Sequence, residues 1–271
     1  MRKTFAELSK QELQNNPHSF VLLGDISVGN FLDANDQLPD RVFNMGIAEQ
    51  AMIGFAAGLS TAGGNVLVHT IAAFLVERAF EQIKLCCGYN KNKLILISAN
   101  GPYDYDKLGP THHCASDISL LSTIPGMNLR VPATVSDMKE CYAQALSTAD
   151  STYIRCTSRD AKLDVDPVKI DSLWKKLPNT NGNKAVICVG ESLTYALQAH
   201  AGMPTYWTVD PLSQLPEELQ EFSELLVLEP YTVPLIKVPE SFQNKKITRR
   251  HFSIEHKKIM QKNLGWEDFN E

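Results

Sequence analysis

Runs of consecutive apolar residues alternate with stretches of helical period through the first 160 residues. Phe20-Val21-Leu22-Leu23-Gly24-Asp25 reads as a buried strand ending in a polar turn. Residues 41–45 predict a second strand, and residues 49–60, rich in small side chains, a closely packed helix stopped by Gly63-Gly64. A strand at 65–69 follows, then a helix over about 73–89 with Phe74, Ala79, Ile83 and Cys87 along one side. Residues 93–98 are almost wholly apolar, as in a parallel sheet covered on both faces. A loop rich in Gly, Pro and Asp over 99–111 separates that strand from a helix at 116–122, a strand at 128–131, a helix at 136–148 and a strand at 152–156. The first 16 residues have the pattern of a short amphipathic helix. Such βα alternation predicts an open α/β sheet over residues 1–160.

Residues 161–182 contain Pro167, Pro178 and an Asn-Thr-Asn-Gly turn, and read as a linker. A second α/β pattern fills residues 183–271: a strand at 184–189, a helix at 192–200, and strands at 205–209 and 225–228. That second domain is small.

Hydrophobic residues make up 44% of the chain and charged residues 21%, ordinary globular usage that excludes disordered and fibrous classes. The net charge is −5 and no Lys/Arg-rich stripe occurs, which argues against a nucleic-acid partner. Lys245-Lys246, Arg249-Arg250 and Lys257-Lys258 read as a solvated polar surface. No apolar run reaches the ~18 residues of a membrane span, and the N-terminal charges precede no apolar signal segment. A soluble, cytoplasmic protein with no membrane partner is expected. The six cysteines are scattered, with Cys86-Cys87 the one close pair, so neither a CxxC motif nor a zinc site is expected. They read as reduced core thiols, and no metal ligand set is predicted.

The candidate chemistry starts at Phe43-Asn44-Met45-Gly46-Ile47-Ala48-Glu49-Gln50-Ala51-Met52-Ile53-Gly54-Phe55. It sets a carboxylate, Glu49, at a strand-to-helix junction among glycine and apolar residues, where the helix dipole favours negative charge. From the pattern alone Glu49 is either a helix-start residue with a capping role or a functional acid.

This run closely resembles the glutamate motif of transketolases, deoxyxylulose-phosphate synthases and the C-terminal subunits of split transketolases. The resemblance covers about 220 residues. It implies a thiamine-diphosphate-binding α/β fold: a pyrimidine-binding domain with a parallel sheet, followed by a small, shortened transketolase C-terminal-like α/β domain. In that family the glutamate hydrogen-bonds a ring nitrogen of the thiamine aminopyrimidine, so the resemblance makes Glu49 a general acid acting on the cofactor. It likewise assigns Ile47 and Asp25 to cofactor binding. Thr70-Ile71-Ala72-Ala73-Phe74 matches the segment whose aromatic ring stacks on the aminopyrimidine, which gives that role to Phe74; a plain core aromatic is the alternative. Gly109-Pro110-Thr111-His112-His113 is similar to the Gly-x-Thr-His-Gln signature and implies a catalytic, substrate-binding His112, while His113 departs from the glutamine.

The resemblance also implies what the chain lacks. The family's Gly-Asp-Gly segment holds Mg²⁺ and the diphosphate, but here Gly24-Asp25 continues as Ile26-Ser27-Val28. Thiamine diphosphate would then be shared with a partner, an N-terminal diphosphate-binding transketolase subunit that holds the Mg²⁺, in a heterotetramer. The family positions that grip a sugar phosphate fall on Gly29, Asn100 and Arg159, with Arg155 the alternative for the last, and Leu108 replaces an acidic residue that reads a sugar hydroxyl. Asp104 and Asp106, opposed by Lys107, are expected to repel a phosphate. These departures imply transfer of a two-carbon ketol or acyl unit between small molecules, to an unusual acceptor in specialised metabolism. The alternatives are a deoxyxylulose-phosphate-synthase-like or 2-oxoacid-decarboxylating subunit, and a scaffold partner without catalysis.

Overall fold

The structure, a computed structural model, describes residues 1–102, 104–178, 180–231 and 233–251; Lys257 and Lys258 lie outside the described residues. The chain divides into two compact units, the first Met1–Arg130 with Val135–Ser158, the second Val131–Thr134 with the chain from Arg159 onward.

In the first unit α1 (Arg2–Asn15) leads to β1 (Ser19–Leu23), α2 (Leu32–Gln37), β2 (Val42–Asn44), α3 (Glu49–Thr61) and β3 (Asn65–Ile71). The helix expected over 73–89 is wound in three segments: π-helix at Ala73–Arg78, α-helix α4 at Phe80–Ile83, and π-helix again at Lys84–Tyr89. Then come β4 (Leu94–Ala99), α5 (Asp117–Leu121), β5 (Asn128–Arg130), α6 (Val135–Ser147) and β6 (Thr152–Cys156). The six strands pair in parallel throughout, in the order β2-β1-β3-β4-β6-β5. Every residue of β4 is buried, which is why that strand reads as an unbroken apolar run. α1 buries Phe5, Ala6, Ser9 and Leu13, one face of an amphipathic helix.

A polar cluster sits in this core. Arg155 and Asp117 are fully buried and form an ion pair in which Arg155 Nε donates to Asp117 Oδ2 at 2.9 Å and Nη2 to Oδ1. Tyr153 donates its hydroxyl to the same carboxylate at 2.6 Å, and burial first, then the Asp117 charge, push its phenol well above the ordinary range. A buried pair of this kind survives only with both partners in place.

The second unit holds β7 (Val168–Lys169), β8 (Trp174–Lys176), β9 (Lys184–Val189), α7 (Ser192–Ala199), β10 (Thr205–Thr208), β11 (Glu224–Glu229) and β12 (Lys246–His251). Their order is β12-β11-β9-β10-β8-β7, with β9 to β12 parallel and β8 antiparallel to β10. Trp207, Val186, Cys188, Leu193 and Leu228 pack with Ala133 and Ala161 as its core.

Two expectations are corrected here. Residues 161–182 are more than linker, because Trp174 and Lys175 are buried and β8 hydrogen-bonds to β10. The basic stretch at 245–250 is not merely solvated surface. It forms β12, from which Arg249 donates to Glu229 Oε2 at 2.8 Å. Glu229 is fully buried and also accepts the Tyr231 hydroxyl and the amides of Leu235 and Ile236, so a strand edge and a following turn are fixed by one carboxylate. All six cysteines are thiols, outside any disulfide; burial raises the Cys87 thiol to about 11 and pushes Cys114 and Cys188 up as well. No helix among the described residues is long and apolar enough to cross a membrane.

Candidate active site

The order of the first sheet creates the site. From β1 the chain passes to β2 on one side and then to β3 on the other, so a crevice opens at the carboxyl ends of β1 and β3, where open α/β sheets bind ligands. Gly24 follows β1, Thr70 lies near the end of β3, and Glu49 is the first residue of α3. Their approach is tight: a methyl group on Gly24 would lie 2.7 Å from Thr70 Cβ and 3.4 Å from Glu49 Oε1.

Glu49 is 1% exposed. Thr70 Oγ1 donates to its Oε1 at 3.2 Å and Arg78 Nη1 donates to its Oε2 at 2.7 Å. The cap residue of α3 is Ala48, which has no side-chain group to bond, and the Glu49 carboxylate is held by side chains of other elements. The half-buried Phe74 ring lies beneath the Arg78 guanidinium, 4.1 Å from ring centre to the central carbon. His112 meets Phe74 edge-on with ring centres 5.1 Å apart, and Tyr105 lies beyond at 5.9 Å. Thr111 Oγ1 is 2.9 Å from His112 Nδ1. Glu49, Phe74 and His112 are therefore joined in one cluster, with Arg78 between the first two.

Asp25, at φ 54°, bridges the ends of β1 and β2: its amide donates to Asn44 Oδ1 at 3.1 Å and its Oδ1 accepts from Asn44 Nδ2 at 3.0 Å. Ile47 is 72% exposed. Asn100 is buried at φ 82° and its Oδ1 accepts from Arg2 Nη2, which also donates to the Tyr105 hydroxyl at 3.0 Å. Beneath them His69 is fully buried and burial drives its pKa to about 3, so it is neutral. Its Nδ1 is 2.9 Å from the Ile97 carbonyl, which can only accept; Nδ1 thus carries the proton, and Nε2 accepts from Ser27 Oγ at 3.0 Å.

Three placements differ from the sequence reading. Arg155 does not line the crevice, since its guanidinium is buried against Asp117. Arg159 belongs to the second unit, where its carbonyl accepts from Thr194 Oγ1 at 2.7 Å. Asp104 Oδ2 accepts from the amides of Gly101 and Ser158, each at 2.7 Å, and from Thr157 Oγ1 at 3.1 Å, so it staples its loop to the residues that follow β6. Among the described residues no group of three or more His, Cys, Asp or Glu is arranged to hold a metal ion.

Residues 1–162 match the family model described as the transketolase pyrimidine-binding domain. The chain belongs to that family. This transketolase-type chain is 30% identical over 201 residues to one of the subunits of the apulose-4-phosphate transketolase of Phocaeicola vulgatus, a match covering 72% of this chain and 62% of that protein. It is 25% identical over 201 residues to a 6-deoxy-6-sulfo-D-fructose transketolase subunit of a Clostridium species, covering 73% and 62%. The matched part thus spans less than two thirds of either relative's length. Among solved structures, a split-gene transketolase described as an inactive beta4 tetramer superposes with a TM-score of 0.74 at 22% identity, over 97% of this chain and 93% of that one. The fold of this chain is therefore the transketolase fold.

Two cations beside these side chains escaped the sequence reading, Arg2 and Arg78. Arg2 left a faint signal: a cation in the first turn of a helix opposes the dipole, so something other than helix stability holds it there. Arg78 left none beyond its spacing of four from Phe74.

The cluster fits the pyrimidine half of thiamine diphosphate. A buried carboxylate and a flat aromatic ring lie within one guanidinium of each other at a sheet crevice. A planar heterocycle with a polar ring nitrogen needs those two contacts.

Proposed function

We propose that this chain is the pyrimidine-binding subunit of a two-chain, thiamine-diphosphate-dependent enzyme that transfers a two-carbon ketol or acyl unit. The observation that carries this reading is the buried Glu49 carboxylate beside the Phe74 ring, with the His112 ring centre 5.1 Å from that of Phe74. When bound, thiamine diphosphate supplies the carbanion chemistry of the transfer. Glu49 holds and delivers a proton at the aminopyrimidine ring nitrogen. Phe74 gives the pyrimidine a flat apolar face, and Asp25 and Ile47 border it. His112, oriented at Nδ1 by Thr111, presents Nε2 to a substrate hydroxyl.

The partner is the diphosphate-binding subunit. It supplies the Mg²⁺ and diphosphate contacts, and the assembly is a heterotetramer acting in the cytoplasm, where thiols outside disulfides stay reduced. The substrate carries an anionic end. Arg2, held by Asn100 and Tyr105, is the cation placed for it. The two relatives are named for a sugar phosphate and a sulfo-sugar, both anionic, which supports this substrate class.

The test is reconstitution. The chain is mixed with a Gly-Asp-Gly-bearing partner, thiamine diphosphate and Mg²⁺, and CO₂ release from hydroxypyruvate is followed. Release that requires both chains is expected; no release from any combination overturns the reading.

A further inference from the structure

The guanidinium of Arg78 makes two contacts at once. Nη1 donates to Glu49 Oε2 at 2.7 Å, and the central carbon stands 4.1 Å from the centre of the Phe74 ring. A flat, delocalised cation suits both; an ammonium suits only the first. These are the two contacts that the proposed function gives to the aminopyrimidine. Two flat groups cannot occupy the same carboxylate oxygen and the same ring face together. His112 approaches Phe74 at 68° between ring planes, so it is not stacked flat on that ring. Of the ion pair, Arg78 is the member able to leave: its side chain is 39% exposed on a flexible stem, whereas that of Glu49 is 1% exposed.

We propose that Arg78 is a resident placeholder for the cofactor's pyrimidine. Without cofactor it keeps the buried carboxylate paired and the ring covered, and it swings to solvent as the aminopyrimidine enters. This inference rests on the cofactor reading above. The need for a placeholder is physical. The chain folds with Glu49 already buried, and a buried carboxylate without a partner is strongly destabilising. Thr70 supplies one neutral hydrogen bond but no charge. Arg78 supplies the charge while remaining displaceable from the solvent side.

A placeholder competes with the ligand, whereas a cofactor contact or a structural strut supports it. The sign of the change on removing Arg78 therefore decides. The experiment is calorimetric titration of the reconstituted two-chain complex with thiamine diphosphate and Mg²⁺, comparing wild type, Arg78→Met and Arg78→Lys. Arg78→Met is expected to bind about tenfold more tightly, since no charge-assisted hydrogen bond has to be broken first. Arg78→Lys, which keeps the ion pair but not the flat cover, falls between. A second measurement needs no cofactor: thermal unfolding of this chain alone, where Arg78→Met melts below wild type and Arg78→Lys close to it. Equal or weaker cofactor binding by Arg78→Met, with wild type binding normally, overturns the placeholder. If Arg78→Met does not fold, Arg78→Lys decides: binding at least as tight as wild type supports the proposal, and weaker binding overturns it. A wild-type complex that binds no thiamine diphosphate removes the cofactor reading itself, and the placeholder with it.

Discussion

Thr70 Oγ1 lies 3.2 Å from Glu49 Oε1 and 3.3 Å from the Gly24 carbonyl, so a single hydroxyl joins the ends of β1 and β3 to the first residue of α3. A Cβ at position 24 would lie 2.7 Å from this hydroxyl oxygen, so the glycine is what leaves room for the threonine there. That bond helps to orient Glu49, as the proposed exchange of a proton with a bound ring requires.

Replacing Glu49 with Gln keeps the size of the side chain and removes the acid. In the reconstituted complex, exchange of the thiazolium proton is expected to fall by about 10²–10⁴-fold, while the chain still folds. Exchange at the wild-type rate in Glu49→Gln would refute the assigned role.

The second prediction concerns assembly. The Gly-Asp-Gly segment is missing after Gly24, so the cofactor's diphosphate has no site of that kind in this sequence. The chain alone is expected to bind thiamine diphosphate weakly or not at all, even with Mg²⁺. Micromolar binding to the isolated chain in calorimetry would sink the two-chain reading.

Most of the fold was legible because buried parallel strands have no polar face to disguise them. β1, β4, β6 and β9 were read within a residue or two of their bounds. β12 was missed for the opposite reason: an edge strand of Lys, Thr and Arg has no apolar signature, and its place depends on Glu229, a partner 20 residues away. The same holds at the site. Glu49, Phe74 and His112 stand out through motifs, and the structure brings them together. Arg2 meets Asn100 across 98 positions, a contact fixed by the docking of α1 and invisible to local pattern. Arg155 stood only as the alternative to Arg159, and its burial was not legible because it depends on Asp117, 38 positions earlier.

That buried pair gives a stability prediction. Asp117→Ala leaves the Arg155 guanidinium without its carboxylate inside the core and deprives the Tyr153 hydroxyl of its acceptor. Breaking such a pair on one side costs about 3–5 kcal/mol. Urea unfolding should show a loss of that size, and a loss under about 1 kcal/mol would mean that the pair does not stabilise the first unit.

His69 gives a pH prediction. Its folded pKa, about 3, lies below its ordinary value of 6.5, because burial disfavours the charged ring. Between those values the unfolded chain binds a proton that the folded chain refuses, so stability present above pH 6.5 is lost as pH falls toward 3, by up to about 1.4 kcal/mol per pH unit. His69→Gln removes the group and should flatten that part of the stability curve. Parallel curves for the two proteins from about pH 7 to about pH 4.5, inside that window, would show that His69 does not carry the dependence.

The last prediction concerns the substrate. A phosphate entering a protein site loses hydration, and convergent cations or helix-end amides must replace it. Of the positions that resemble the family's phosphate grip, Gly29 has no side chain and Asn100 is neutral and already bonded to Arg2. The Asp104 carboxylate is engaged within the protein, where it accepts from Gly101, Thr157 and Ser158. What the first unit places at that end is Arg2, one cation, partly buried and oriented by Asn100 and Tyr105. One guanidinium can orient an anionic end bidentately but gives less than several converging groups. The reconstituted enzyme is therefore expected to turn over xylulose 5-phosphate with ribose 5-phosphate at well under a tenth of a typical enzyme rate of ~10 s⁻¹. With its proper substrate, Arg2→Gln should raise KM far more than it lowers kcat, because the contact is far from the bonds that change. A coupled assay giving ordinary rates with the two pentose phosphates would overturn the first expectation and show that the partner chain completes the grip. An unchanged KM in Arg2→Gln would overturn the second, and would leave Arg2 as a strut between α1 and the loop that carries Tyr105.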